Sequence, residues 1–140
     1  MKYNEWFQWI ERFPLGKQIL SNITSIIPEG SEKAVLINVV DQADNLTGRI
    51  LISDDANIIS LEYILKSTEK EQGCSVDYRR KGDIVKKTIE LSDVKPTWVG
   101  DHLYSSLICT LHFANGEKMK LNNADFSTNF KEFHDTVIKI

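Results

Sequence analysis

Apolar residues at the start of the chain recur at helical spacing. Trp6, Ile10 and Phe13 follow one another at intervals of four and three residues, which places them on one face of a helix. Pro14 disfavours helical backbone at the residue before it, so the helix should break there and then resume. The pattern therefore predicts a helical segment over residues 1–27 that is interrupted at Pro14.

A second helical stripe ends the chain. Phe126, Phe130, Phe133 and Val137 recur at helical intervals, which predicts a helix over residues 127–139 whose aromatic face packs on the core. The predicted N-caps are Asn4 for the first helix and Ser127 or Thr128 for the last.

The middle of the chain, residues 33–122, consists of short runs rich in β-branched residues and separated by polar turns. Residues 58–66 are ambiguous between strand and short helix, because a brief apolar run fits both, and we favour a strand. The predicted strands cover residues 34–40, 47–53, 58–66, 75–80 and 84–91, with two more in residues 106–122.

Residues 75–80 and 84–91 flank Lys81-Gly82-Asp83 and predict a hairpin. With Lys81-Gly82 as a two-residue loop, Tyr78 faces Val85 across the pair. That register sets Asp77 opposite Lys86, a favourable cross-strand pair of opposite charges.

The hairpin in residues 106–122 allows its register to be argued. A three-residue loop, Ala114-Asn115-Gly116, pairs Leu111 with Met119 and Cys109 with Leu121, so that one face is wholly apolar. Gly116 then has left-handed backbone at a bulge. The other face, with Thr110 and His112 opposite lysines, is predicted to meet solvent.

These elements predict an α+β fold. The centre is an antiparallel β-sheet or a partly open barrel of six to seven strands, preceded by the helical segment and followed by the C-terminal helix. No repeat or Pro/Gly-rich linker divides the 140 residues, so we expect a single domain over residues 1–140.

Charge and composition narrow the choice of partners. The net charge of −3 does not favour nucleic acid, and no apolar stretch is long enough to span a membrane. The N-terminus carries carboxylates where a secretory signal has a basic start and an apolar run, which predicts a cytoplasmic location. Another protein is therefore the expected partner. The sequence leaves both a monomer and a dimer open.

No local motif for catalysis, metal binding or a cofactor is present. A dispersed set would need Cys109, with His102 or His134 and Asp101 or Asp135, to meet in space. Cys109 is predicted to point into the core, where a thiol is inert. We therefore predict no catalytic residue, no metal ligand and no cofactor.

Two segments are candidates for contact with a partner. Trp98, with Asp101 and His102, is predicted to lie in a loop between strands, where tryptophan offers a large contact area at small entropic cost. Arg79, Arg80 and Lys81 crowd the predicted hairpin together with Lys86 and Lys87, and such a basic tip suits phosphates or an acidic protein surface.

The last third of the chain resembles the end of a bacterial pleckstrin-homology-like domain. The resemblance is carried by Thr88-Ile89-Glu90-Leu91-Ser92-Asp93-Val94, by Leu111-His112-Phe113-Ala114-Asn115-Gly116-Glu117-Lys118, and by the terminal helix with Phe130 and Phe133. It covers residues 34–140 and implies seven strands and a closing helix, a fold used mostly by binding modules. The N-terminal helical segment departs from that pattern.

Three functional hypotheses follow. The first is a non-enzymatic domain that acts by binding another protein, as a bacterial immunity protein or a small regulator does. The second is a module that binds anionic lipid or phosphate through residues 79–87. The third is a small enzyme with a dispersed active site.

Overall fold

The computed structural model describes residues 2–27, 29–30, 33–91, 97–99, 102–104, 107–127 and 130–140. Within these ranges the helices are α1 (Tyr3–Ile10), α2 (Pro14–Ile26) and α3 (Phe130–Lys139). The strands are β1 (Ala34–Gln42), β2 (Asn45–Ser53), β3 (Asn57–Lys66), β4 (Gly73–Arg80), β5 (Ile84–Leu91), β6 (Thr97–Val99), β7 (His102–Tyr104), β8 (Leu107–Phe113) and β9 (Lys118–Asn122).

The strands form three antiparallel sheets. A four-stranded sheet has the order β1-β2-β3-β4, a three-stranded sheet has the order β5-β8-β9, and β6 pairs with β7. The α+β class with open antiparallel sheets is confirmed, and residues 58–66 belong to a strand as favoured. The short strands β6 and β7 are additional to the seven that the sequence predicts.

The N-terminal helices break where the proline requires it. Phe13 has extended backbone (φ −103°, ψ 141°), and Pro14 is the first residue of α2. The predicted N-cap Asn4 is wrong, because α1 begins at Tyr3 and Lys2 occupies the cap position. The Lys2 backbone N–H donates to the Glu5 carboxylate at 2.9 Å, so a first-turn acid holds this helix end.

The central strands β2 and β3 are buried on both faces where residues 50–53 meet residues 58–59. Ile50, Leu51 and Ile52 are consecutive and fully buried, although neighbouring side chains of a strand point to opposite faces. Ile50 and Ile52 pack in a first core with α1 and α2. Leu51 packs in a second core with β8, β9 and α3. The four-stranded sheet therefore lies between two apolar layers.

A buried polar contact fixes α1 on this sheet. The Trp6 indole Nε1 donates to the Tyr63 hydroxyl at 2.9 Å, and both side chains are buried. Gly48 on β2 lies opposite Tyr63, and a Cβ placed there would clash with the Tyr63 hydroxyl oxygen. The Tyr63 ring therefore occupies the space that a side chain at position 48 would fill.

The predicted register of the β8–β9 hairpin is confirmed. Leu111 pairs with Met119 and Cys109 with Leu121, and Gly116 has a φ of +87° in the loop. The predicted solvent exposure of Thr110 is wrong, since only 6% of this residue is accessible. β8 is the central strand of its sheet, so side chains of β5 and β9 flank the short threonine on both sides.

The predicted hairpin of residues 75–80 with 84–91 is wrong. β4 pairs with β3, where Tyr78 lies opposite Ile59, and β5 pairs with β8, where Ile89 lies opposite Cys109. Residues Lys81–Asp83 form a 3₁₀ turn that carries the chain from one sheet to the other. Each strand thereby forms backbone hydrogen bonds along a buried neighbouring strand. These contacts outweigh a single exposed ion pair between Asp77 and Lys86.

Among the described residues the C-terminal helix is α3, Phe130–Lys139, which lies within the predicted range of 127–139. Phe126, Phe133 and Val137 are buried in the second core, as the aromatic stripe predicts. Ser127, one of the two predicted caps, contacts β1. Its backbone N–H donates to the Ile37 carbonyl and its hydroxyl to Asn38 Oδ1, so it ties the chain to β1. Thr128 and the Phe130 side chain lie outside the described residues.

Gly48→Ala should lower the free energy of unfolding by about 1–3 kcal/mol, because the new methyl group displaces the Tyr63 hydroxyl from Trp6. Gly82→Ala is the matched control, since a Cβ there meets nothing within 4 Å. Urea denaturation of both variants measures the difference. Equal stability of the two variants would contradict the proposed close packing.

The stability of the fold should fall between about pH 10 and pH 12. Burial raises the pKa of Tyr63 from 10.0 to about 12, so the unfolded chain loses this proton first as the pH rises. The raised pKa contributes stability that is complete below pH 10 and is lost through pH 12. The loss corresponds to about 2–3 kcal/mol. Urea titrations of the wild type and Tyr63→Phe should diverge over this window, and parallel curves would exclude the tyrosine as the cause.

Candidate functional site

Exposed apolar side chains concentrate on β4 and β5. Of the seven large hydrophobic residues that are exposed in the described part of the chain, five lie on these two consecutive strands. We call Cys74, Val76 and Tyr78 the β4 strip, and Val85, Ile89 and Leu91 the β5 strip. Exposed apolar residues that cluster in this way are typical of contact surfaces.

The β4 strip continues the first core beyond its covered part. Val76 lies opposite Leu61 and Tyr78 opposite Ile59, and both β3 partners are buried beneath the N-terminal helices. The β4 side chains themselves remain 46% and 44% exposed. The Tyr78 hydroxyl donates to Asn57 Oδ1 at 2.8 Å, which holds the ring against β3.

The β5 strip likewise extends the second core beyond its covered part. Ile89 and Leu91 lie opposite Cys109 and Leu107, which are fully buried, yet they are 41% and 66% exposed. Val85 lies where the register with β8 shifts, and it is 67% exposed. Ile89 and Leu91 are therefore on the core-facing side of their sheet but outside the cover that the core provides, whereas Val85 is the unpaired residue of the bulge.

Arg79, a predicted contact residue, is already engaged within the fold. Its guanidinium bonds to Asp77 at 2.8 Å and to Glu117, and it lies 4.6 Å from the ring centroid of Phe113. The hydrogen bond to Asp77, with a further contribution from Glu117, raises the pKa of Arg79. Two carboxylates and an aromatic face thus satisfy this cation, which fastens β4 to the β8–β9 hairpin.

Lys81 and Lys87 bind the end of α3. The Lys81 ammonium donates to the Lys139 carbonyl at 3.1 Å. The Lys87 ammonium donates to the carbonyls of Val137 and Ile138 at 3.0 and 3.2 Å. The last carbonyls of a helix lack partners within it and carry partial negative charge, so the two lysines stabilise this end.

Arg80 and Lys86 remain available to a partner. Both are exposed, and the described part of the chain offers neither side chain a hydrogen bond or an ion pair. Arg80 ends β4, next to Tyr78, and Lys86 follows Val85 on β5. These two cations adjoin the exposed strips, whereas the rest of the predicted basic cluster has structural contacts.

The Trp98 segment is only partly described. Trp98 lies on β6 opposite Leu103, and His102 lies on β7 opposite Val99, so the prediction that they belong to a loop is wrong. They belong instead to two short strands that pair with each other. Asp101 lies outside the described residues, as do the side chains of Trp98 and His102.

The thiols and the acidic groups give no sign of a reactive centre in the described ranges. Cys109 is fully buried, and burial raises the pKa of its thiol, which disfavours the reactive thiolate. Burial also raises the pKa of the Cys74 thiol on β4. No three His, Cys, Asp or Glu side chains among the described residues are placed to hold a metal ion.

A polar groove crosses the uncovered half of the four-stranded sheet. Arg49 is its central charge and lies 3.5 Å from Glu62 and 3.1 Å from Asp125. The guanidinium also lies 5.1 Å from the ring centroid of Phe126. Two carboxylates already balance the charge of this cation. Arg49 therefore connects the sheet to the segment before α3.

No protein-family model, curated protein or solved structure matches this chain. The resemblance to a pleckstrin-homology-like domain therefore stays a prediction. Within the ranges described above, no helix has the length and apolar character needed to cross a membrane.

The amino-acid pattern does not indicate that the two strips are exposed. Cys74, Val76 and Tyr78 alternate with polar residues, and this pattern predicts a half-buried strand. The pattern alone does not tell whether anything covers the apolar face. The exposure follows only if the strand lies at the edge of its sheet. In the predicted hairpin, that side of the strand would have paired with β5.

Lys87→Met should destabilise the fold by about 1 kcal/mol, because it removes the charged donor from two carbonyls at the end of α3. Lys86→Met removes the same charge from the neighbouring residue without breaking a contact, so it should change stability little. Thermal unfolding compares the two variants. Equal effects would show that Lys87 does not act through α3.

Proposed function

We propose that this chain is a non-enzymatic domain that acts by binding another protein, and that the partner contacts the β5 strip. The observation that carries the proposal is the exposure of three large apolar side chains on one strand, Val85, Ile89 and Leu91. Leaving such a set in water forgoes the stabilisation that burial brings, and a partner surface supplies the missing cover.

The free cations add a charge preference to this region. Lys86 follows Val85 on β5, on the sheet face opposite Ile89 and Leu91, and Arg80 ends β4. Neither side chain has an internal partner among the described residues. Charged groups around an apolar centre steer association and suppress wrong partners. The proposed partner therefore presents apolar side chains flanked by carboxylates. Neutralisation or regulation of that protein, in the cytoplasm, is the role that we propose.

The lipid- or phosphate-binding hypothesis draws less support from the contacts of the basic cluster. Arg79, Lys81 and Lys87 are bound to carboxylates or helix carbonyls, so a phosphate would have to displace these partners. Within that cluster, only the side chains of Arg80 and Lys86 lack an internal partner among the described residues. Two separated cations make a weak anionic-membrane site, because such binding takes several positive charges.

The proposal is tested by affinity capture from a lysate of the protein's own source, with wild type and Val85→Asp/Leu91→Asp compared quantitatively. Both residues are about two-thirds exposed, so the variant should keep its thermal stability. We expect the wild type to retain a stoichiometric protein partner at moderate salt. The amount of partner captured by the double variant should be at least tenfold lower.

Val40→Asp is the matched control, because Val40 is an exposed valine on β1, at the opposite edge of the four-stranded sheet. It should retain the partner. Equal capture by the wild type and the double variant would overturn the assignment of the β5 strip. Recovery of anionic lipid alone, lost in Arg80→Glu/Lys86→Glu, would favour the lipid-binding hypothesis instead.

A further inference from the structure

The outer side of β4 is a long and regular sheet edge. Its eight residues pair with β3 without a register shift, and they include no proline. Among the residues that the structure describes, no strand pairs with the other side. A strand of this length presents about 26 Å of backbone with unpaired N–H and C=O groups.

Two other sheet edges in the described chain are modified in ways that hinder pairing. Ser127 donates to the Ile37 carbonyl of β1 and to the Asn38 side chain, which occupies part of that edge. On β5 the register shifts between Ile84 and Lys86, and such bulges disrupt an edge. β4 has neither protection.

We propose that β4 pairs antiparallel with β4 of a second copy of this chain, about a two-fold axis at Val76, so that the two four-stranded sheets form one continuous sheet. The proposal goes beyond the proposed function and does not rest on it, since the β5 strip takes no part in the contact.

The choice of a second copy follows from the sequence of the strand. A two-fold axis normal to the sheet keeps every side chain on its own face, so only residues of the same parity face each other. Two registers then overlap nearly the whole strand, one centred on Val76 and one on Asp77. The second sets Asp77 opposite its own copy, and facing like charges are unfavourable.

The register centred on Val76 is self-complementary. Val76 meets its counterpart, and Cys74 meets Tyr78 of the second copy, so the exposed β4 strip covers itself. On the other face the Ser75 hydroxyl meets the Asp77 carboxylate, a donor opposite an acceptor. Gly73 lies opposite Arg79, which leaves the engaged guanidinium undisturbed.

Sedimentation of the full chain over a wide range of concentrations tests the proposal. The wild type should have twice the mass of one chain, and Val76→Lys should be a monomer, because an inward-pointing lysine blocks pairing at an edge. Val85→Lys, the same change on β5, should remain a dimer. A wild type that stays monomeric throughout would overturn the proposal and leave this edge to a strand from another protein.

Cross-linking tests the register and guards against misfolding of the lysine variant. Val76→Cys in a Cys74→Ser background should form a covalent dimer on mild oxidation, because the two new thiols face each other at the axis. Val85→Cys in the same background is the control and should stay uncross-linked. Dimerisation without cross-linking at 76, or a dimer that survives Val76→Lys, would overturn the β4 pairing.

Discussion

The burial of residues 50–53 of β2 and 58–59 of β3 on both faces is the constraint on which this structure depends. Ile50, Leu51 and Ile52 leave no polar face between them, so the four-stranded sheet needs an apolar layer on each side. The N-terminal helices supply one layer, and β8, β9 and α3 supply the other. The polar contacts between layers, such as Trp6 with Tyr63, then fix how each layer sits on the sheet.

The same arrangement explains where the molecule has surface to offer. The cover over each face ends before the outer strand is reached, so β4 and β5 carry residues of core character into solvent. The cations nearby serve mainly to hold the chain together: Arg79 joins β4 to the β8–β9 hairpin, and Lys81 and Lys87 hold the end of α3. What remains for recognition is apolar surface with a few free charges, which suits a protein partner.

Patterns that depend on neighbours in sequence could be predicted. The break at Pro14, the β8–β9 register and the buried face of Phe133 and Val137 all follow from spacing and turn chemistry. The β4–β5 hairpin was wrong because a short connection suggests pairing, whereas the choice of partner strand depends on distant residues such as Ile59 and Cys109. The candidate site was obscured for the same reason, since exposure of the strips and the internal partners of the cations arise only from tertiary contacts.

The exposed strips depend on β4 and β5 being edges of two separate sheets. Nuclear Overhauser contacts between backbone protons of neighbouring strands measure this pairing directly. We expect contacts from Tyr78 to Ile59 and from Ile89 to Cys109, with none between Tyr78 and Val85. Contacts between Tyr78 and Val85 would show that the two strands form a hairpin. The open edges, and the recognition surfaces built on them, would then not exist.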